Sequence, residues 1–548
     1  MGETTPLQNS IQVDDNTDDD DSGPKRGNFK SRFGMVVSCM GCMVGAGNIW
    51  RFPRIAANNS GDNGSLQFIL AWLLFLFIWS IPMLVIEYAS GRYCKCSPVR
   101  IFNNLLSSKN IWLGGWIAAV STAIACYYAV LCAWCFYYLC YCTVNPLPTT
   151  EEESLDIFVS FVGETVWALL PQAIAIILAG LAVMWGVKTI ERVNSVIVPI
   201  FLLLLLFTFI WAMTLPGAEL GLKFLFSPDW ELLADPQLWI DAASQNAFDT
   251  GAGWGLMTSY AAFTTEKTGI IKMSVIIPSF NNLISLMSAM MTFATVFAVE
   301  SEAGLNKTEI VDILQNSGPA NTGLTFIWMP ILYSTITGGK ILAIAFFLAL
   351  SLALLSTEIA MIELAVKTLE DLGVKRFIAV PSTCVLIYVL GIGSAVNINY
   401  LVNQDLVWSY ALLLSGIAFI YLVWRYGSSK FRSILINDFS TNDWHLPKLW
   451  EWIIKFLAPI EVAALLVWFA LDQIHNNPDW YRVTSDGLLS CVVQWTLVAV
   501  LVIIFNVIYI KKKGPMTATA PSYDSMEDIK KEEQTEETLA AEAESAMH

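Results

Sequence analysis

Apolar stretches long enough to cross a bilayer recur along nearly the whole chain, at about residues 34–57, 66–89, 112–142, 165–185, 194–215, 241–264, 274–300, 340–371, 375–397, 404–426, 452–472 and 484–511. Hydrocarbon offers the backbone no hydrogen-bonding partner, so each stretch must satisfy its own amides and carbonyls as a helix. The pattern predicts an all-α membrane protein of about 12 transmembrane helices embedded in a lipid bilayer. With 55% hydrophobic and 14% charged side chains among 548 residues, the chain has more apolar surface than a water-soluble core could hide.

Charge orients the bundle. Lys25, Arg26, Lys30 and Arg32 precede the first run, and after even numbers of crossings come Arg92, Lys95 and Arg100, then Lys188 and Arg192, then Lys367, Lys375 and Arg376, then Lys511 to Lys513. Alternate loops carry acids such as Glu151 to Glu153, Asp229, Glu300 and Glu302. Both termini are therefore expected in the cytoplasm, with the protein in the plasma membrane. Residues 1–24 are polar and acidic, so no cleaved signal peptide is expected there. The net charge of −16 comes largely from two tails, 1–24 and 512–548, expected to be disordered and flanking a transporter domain at 25–511. Most of the eleven cysteines lie in apolar runs and read as small hydrophobes; Cys94 and Cys96 flank Lys95 where palmitoylation can occur.

Enzyme chemistry is not supported. The only histidines, His445, His475 and His548, lie in loops or tails, the Gly338 to Lys340 stretch lacks the rest of a phosphate loop, and no dinucleotide fingerprint is completed. No nucleic-acid partner is expected.

Two runs are interrupted in mid-membrane. Residues 43–53 read MVGAGNIWRFP, and residues 245–255 read QNAFDTGAGWG. Glycine costs about 1 kcal/mol in a helix interior and proline removes a donor, so Gly45, Gly47 and Pro53 in the first run, and Gly251, Gly253 and Gly255 in the sixth, favour local unwinding. Backbone groups freed in hydrocarbon cost several kcal/mol unless protein, water or an ion takes them up. Asp249 beside the second break costs about 3 kcal/mol in mid-bilayer and calls for a cation. Glycine-interrupted helices at matching positions of two halves point to a midplane binding site, where half-helix N-termini face an anion and freed carbonyls face cations. In the eighth run, Ser356, Thr357 and Glu358 interrupt an apolar face; oxygens of this kind suit an alkali cation better than a transition metal.

At these residues the chain resembles the neurotransmitter:sodium symporter family of LeuT-like sodium-coupled transporters. GAGNIWRFP at Gly45 to Pro53 matches its G-x-G-N-x-W-R-F-P hallmark, supported by IEYASGR at Ile86 to Arg92, Tyr127 and Tyr128, the GAGWG break, and LEDLG at Leu369 to Gly373. The likeness covers about residues 26–511. It implies a LeuT-like 5+5 inverted repeat with helices 1 and 6 broken, the first repeat at 34–215, the second at 241–426, and helices 11 and 12 at 452–511.

The resemblance also implies two sodium sites. The first would use the Met43 carbonyl with Asn48, Asn281 and Asp249, the last standing where the family often has Ser or Thr. The second would use carbonyls of Gly41, Val44 and Ala353 with the hydroxyls of Ser356 and Thr357. A substrate carboxylate would meet the Ala46 and Gly47 amides and the Tyr128 hydroxyl, and its ammonium the carbonyls near Met43 and Phe248. Cys42, Ile124, Gly251, Trp254, Glu358 and Met361 would shape the pocket, with Phe248 as a lid. Arg51 with Asp405 resembles an outer gate; Arg26 with Asp371 resembles an inner gate, although Arg26 also reads as a positive-inside anchor.

Departures from the family narrow the substrate. Gly45 stands where monoamine carriers have an aspartate, which favours a substrate bringing its own carboxylate, an amino acid or a close relative. Leu70 replaces a chloride-site tyrosine whereas Ser285 matches that site, and Asp249 supplies a fixed negative charge that makes chloride redundant; transport is expected to be chloride-independent. Glu358 stands at a usually small position, leaving open a cationic substrate side chain, protonation, or pairing elsewhere. Phe263 replaces a tyrosine near the inner gate, and the segment 143–164 reads as a short loop without the cysteine pair of animal neurotransmitter carriers. Rival readings are a transport-inactive trafficking partner, a carrier of an osmolyte such as a betaine, and a channel.

Overall fold

The computed structural model describes residues 28–162, 166–315, 318 and 322–518. Among them every regular element is helical. Arg26 and most of the two acidic tails lie outside the described residues.

The first apolar run divides into α1 (Arg32–Met43) and α2 (Gly47–Asn58), bent by 53° at the break. There follow α3 (Leu66–Cys94), α4 (Ser108–Val144), the shorter α5 (Leu169–Val183) and α6 (Val187–Met213). The sixth run also divides, into α7 (Pro236–Asp249) and α8 (Leu256–Ala261). Then come α9 (Ile270–Glu302), α10 (Gly339–Asp371), α11 (Arg376–Val396), α12 (Ile398–Tyr426), α13 (Leu449–Asn476) and α14 (Leu488–Lys513). Nine of these helices are individually long and apolar enough to span a bilayer, or ten with the bent first pair counted as one. Each predicted run coincides with a helix or a helix pair.

Burial separates scaffold from periphery. The most apolar stretches of α4 and α10 are 83% and 78% buried inside the protein, that of α14 only 11%. Leu497, Leu501 and Ile504 of α14 are exposed, as residues facing lipid tails must be. The broken pairs lie between α3, α4, α9 and α10, so their free backbone groups meet protein and not hydrocarbon.

The segment 143–164, expected as a short loop, instead contains the helix Glu151–Val162. Its buried side seats aromatic side chains: Phe158 meets Trp134 edge-on at 5.4 Å, and Phe161 stacks on Tyr137 at 3.7 Å, while Leu155 and Val159 are exposed. Helical spacing of apolar side chains in an acidic stretch was the available signal. At the other end, α14 runs to Lys513, and Met516 is seated against Val99 and Ile111.

Candidate functional site

The last intrahelical bond of α1 is donated by Val44 N to the Met40 carbonyl, at 2.9 Å. Beyond it, side chains take over. Gly45 N donates to Asn48 Oδ1 at 2.8 Å, Ala46 N to the Tyr128 hydroxyl at 3.3 Å, and the Gly47 carbonyl accepts Gln245 Nε2 at 2.9 Å. Gly47–Arg51 then winds as one π-helical turn, a widened geometry common at functional sites.

Four polar side chains from α2, α7 and α9 converge beside this break. Asn48 Nδ2 donates to Asn281 Oδ1 at 3.0 Å and to Ser285 Oγ at 2.8 Å, and Ser285 Oγ donates to Asp249 Oδ2 at 3.1 Å. Asp249 Oδ1 is buried with no hydrogen-bond partner, and no Lys or Arg among the described residues forms an ion pair with Asp249. A carboxylate held this way at mid-depth lacks its counter-charge. Oxygens from Asn48, Asn281, Ser285 and Asp249 form a donor set for a hard cation.

A second group of oxygens joins α1 to α10. Ser356 Oγ donates to the Gly41 and Ala353 carbonyls at 2.6 and 2.8 Å, and Thr357 Oγ1 lies 3.4 and 3.3 Å from the same two atoms. Gly41 permits this approach, since a Cβ there would lie 2.5 Å from Val198 and 3.2 Å from Ser356. Val44, assigned to the same group by resemblance, is fully buried.

The second break is built differently. Gly251, Gly253 and Gly255 have φ of +64°, +97° and +80°, a region that side-chain-bearing residues rarely adopt. Glu87 of α3 caps the gap, its two carboxylate oxygens accepting Gly253 N at 2.8 Å and Met257 N at 3.1 Å. Ser121 of α4 donates to the Trp254 carbonyl at 2.6 Å, and Asn246 is held by the Ser80 hydroxyl at 2.6 Å and the Trp72 carbonyl at 3.0 Å. Glu87 and Ser121 were missed in the sequence. An acid inside an apolar run was the signal for Glu87; nothing marked Ser121.

Between the breaks, Cys42, Ile124, Tyr128, Trp254 and Met361 are buried, and Phe248 meets Trp254 edge-on at 5.6 Å. A Cβ at Gly45 would lie 2.4 Å from the Tyr128 hydroxyl and 3.1 Å from Thr357 Oγ1, so an aspartate has no room there. Beside Gly251 the space is open, with no atom within 4 Å of a built Cβ. Glu358 is wholly buried and neither carboxylate oxygen has a hydrogen-bond partner. Pairing elsewhere, one of the three readings left open for it, is not what the structure has.

The ends of the site differ from expectation. Arg51 does not pair with Asp405: its guanidinium lies over the Phe248 ring at 4.3 Å, while Asp405 accepts Ser409 Oγ at 3.4 Å. A cation over an aromatic face is worth about as much as a half-exposed ion pair, so the lid residue competes for Arg51. Arg51 and Phe248 border a small cavity together with Ser244, Ser409 and Leu413. At the opposite end Arg26 lies outside the described residues; Asp371 accepts Ser97 N at 2.6 Å. There the chain entering α1 is pinned by Glu191 of α6, which accepts Lys30 N, Ser31 N and Ser31 Oγ at 2.8 to 2.9 Å. Phe29 N donates to the Phe263 carbonyl at 3.1 Å, and Lys367 lies over the Phe263 ring at 4.0 Å.

The chain matches the family model described as Sodium:neurotransmitter symporter family over residues 26–156 and 149–513. It is 24% identical over 478 residues to an uncharacterized sodium-dependent transporter of Methanocaldococcus jannaschii, covering 84% of this chain and 94% of the other. To the sodium- and chloride-dependent taurine transporter of Bos taurus it is 27% identical over 464 residues, covering 74% and 73%. The crystal structure of MhsT in complex with L-phenylalanine superposes with a TM-score of 0.69 at 28% identity, covering 81% of this chain and 99% of that one.

Proposed function

We propose that this chain, which belongs to the sodium:neurotransmitter symporter family and is thereby a multi-pass, sodium-coupled symporter and no enzyme, carries amino acids or close carboxylate-bearing relatives inward by alternating access. The observation that carries this reading is the uncompensated Asp249 carboxylate held among Asn48, Asn281 and Ser285 at the junction of two broken helices.

In this reading the first sodium ion is taken by Met43, Asn48, Asp249 and Asn281, and the second by Gly41, Val44, Ala353, Ser356 and Thr357. Hydroxyls that bond to Gly41 and Ala353 carbonyls can rotate to offer lone pairs to an ion held by those same carbonyls. The Ala46 amide, which donates to the Tyr128 hydroxyl, would separate from it so that both hold the substrate carboxylate, joined by the Gly47 amide. Gly45 supplies no anion for an amine-only substrate, and the Tyr128 hydroxyl stands where a larger side chain would go. That MhsT was solved with L-phenylalanine supports an amino acid. Phe248 and Arg51 close the outer side; Phe29, Glu191, Phe263 and Asp371, with Arg26, close the inner side. Twelve spans in two inverted sets of five plus two, with both termini in the cytoplasm of a plasma-membrane protein, complete the proposal.

Chloride is not required in this reading. Asp249 Oδ2 already accepts the Ser285 hydroxyl, and a second anion about 4 Å away would be repelled by about 4 kcal/mol at an effective dielectric near 20. Ion and substrate sites share the same unwound backbone, so their binding energies are coupled. Each net charge moved inward gains about 2.3 kcal/mol per 100 mV.

The test is uptake of radiolabelled amino acids into proteoliposomes under an inward sodium gradient, with chloride replaced by gluconate. Accumulation that follows sodium and survives chloride removal is expected. Uptake indifferent to the sodium gradient overturns the mechanism, and uptake of betaine but no amino acid overturns the substrate class. In Asp249→Ser a chloride requirement should emerge.

A further inference from the structure

Glu358 stands on α10 one residue past the hydroxyls that meet the Gly41 carbonyl. Each helical residue turns the chain by about 100°, so while Ser356 and Thr357 face α1, Glu358 is turned on from them toward α4. Two contacts fix that direction. Phe347, about three turns earlier on the same side of α10, stacks with Tyr138 of α4 at 5.2 Å. Ser351, about two turns earlier, accepts Cys132 Sγ of α4 at its carbonyl, at 3.9 Å. Tyr128 stands one turn before Cys132 on that face of α4 and feels the charge of Glu358. The residue whose hydroxyl reaches the first break therefore also borders this carboxylate.

The other buried acids beside the breaks are provided for. Glu87 accepts two backbone amides, and Asp249 accepts Ser285 and stands among the oxygens of the first cation site. Glu358 is 0% exposed, neither of its oxygens has a hydrogen-bond partner, and it enters no ion pair among the described residues. The titratable groups within its electrostatic reach are Cys126, Tyr128 and Cys132 of α4 and Cys384 of α11, and none is a lysine or arginine. A carboxylate withdrawn this completely from water calls for a cation against it. The described chain supplies none there, so the cation comes with what binds. We infer that the substrate is a basic amino acid, of the arginine or lysine class, whose side-chain cation is held by Glu358 between α4 and α10. This rests on the proposed seating of the substrate carboxylate at Ala46, Gly47 and Tyr128: because Tyr128 borders both places, a side chain directed from there toward α10 meets Glu358. Two free oxygens match the paired donors of a guanidinium and equally accept an ammonium. Met361, three residues on and fully buried, is unbranched and gives way to the longer side chain.

The experiment follows sodium-driven uptake by the full chain in proteoliposomes of radiolabelled arginine and lysine and of their uncharged counterparts, citrulline and norleucine. In the parent chain the basic member of each pair should be favoured at least about tenfold in kcat/KM. Glu358→Gln, which keeps size and polarity and removes the charge, should cut that ratio about tenfold, and Glu358→Asp should retain most of it. A Gln variant that loses basic and neutral uptake in equal proportion has only lost structure and overturns the inference. The same order should appear without any variant, as a larger sodium-dependent rise in unfolding temperature with arginine than with citrulline; equal rises overturn it. Neutral amino acids that enter with sodium while arginine and lysine neither enter nor compete overturn the inference and leave the symport reading standing. Sodium-dependent entry of no amino acid at all removes that reading, and this inference with it.

Discussion

The two broken helices need glycine for different reasons. In the first, no glycine has a positive φ; Gly41, Gly45 and Gly47 are required because Val198, Ser356, Tyr128, Phe248 and Asp249 stand where a side chain would go. In the second, Gly251, Gly253 and Gly255 are required by backbone handedness, and Gly251 has open space around it. The first break is therefore a matter of packing, with its free amides passed to Asn48 and Tyr128. The second is a matter of conformation, with its free amides passed to Glu87. A break set by packing can change when its neighbours move, whereas one set by glycine handedness stays broken whatever surrounds it. In an alternating-access cycle this makes the α1 side the adjustable one.

That contrast can be broken or sharpened by substitution. The largest effect is expected at Glu87. Glu87→Ala strands the Gly253 and Met257 amides at mid-depth and should destabilise by about 3 kcal/mol, read as a lower unfolding temperature in detergent together with loss of uptake. Glu87→Gln keeps an acceptor and should lose about half as much. An unchanged Glu87→Ala would show that the second break holds itself without a cap. Next comes Gly45→Ala, whose methyl meets the Tyr128 hydroxyl and should destabilise by about 2 kcal/mol. Adding Tyr128→Phe removes the clashing oxygen and should return part of that stability, though not substrate binding; no recovery would argue against a packing origin.

Gly251→Ala should cost about 1.5 kcal/mol from the backbone alone. Gly251→Asn, tolerant of the left-handed region, should lose less, and the reverse order would mean the open space matters more than the handedness. The smallest change is Ser356→Ala. It should reduce the sodium-dependent rise in unfolding temperature, by the equivalent of about 1 kcal/mol, while leaving stability without sodium nearly untouched. A loss of the same size with and without sodium would remove Ser356 from the ion's ligands.

Both breaks were legible as interruptions of apolar runs, because glycine, proline and aspartate are costly there whatever the fold. The gathering of Asn48, Asp249 and Asn281 was legible only through resemblance to a family, since residues on α2, α7 and α9 have no sequence spacing in common. Partners chosen by distance were not legible. Arg51 was expected at Asp405 and lies over Phe248; Glu87, Glu191 and Ser121 hold backbone that a linear reading could not assign to them. The helix at Glu151–Val162 stands where a short loop is expected, and what seats it, Trp134 and Tyr137 against Phe158 and Phe161, belongs to another helix.

By itself the amino-acid order determined that this chain is helical, membrane-spanning and twice interrupted, because solvation in hydrocarbon and the steric limits of glycine and proline act residue by residue. Only the tertiary structure decided which atoms complete the interruptions. A hydrogen bond or an uncompensated charge depends on what lies within about 3 Å, and in this bundle many of those neighbours come from other helices, from 36 residues away for Asp249 and Ser285 to 315 for Gly41 and Ser356.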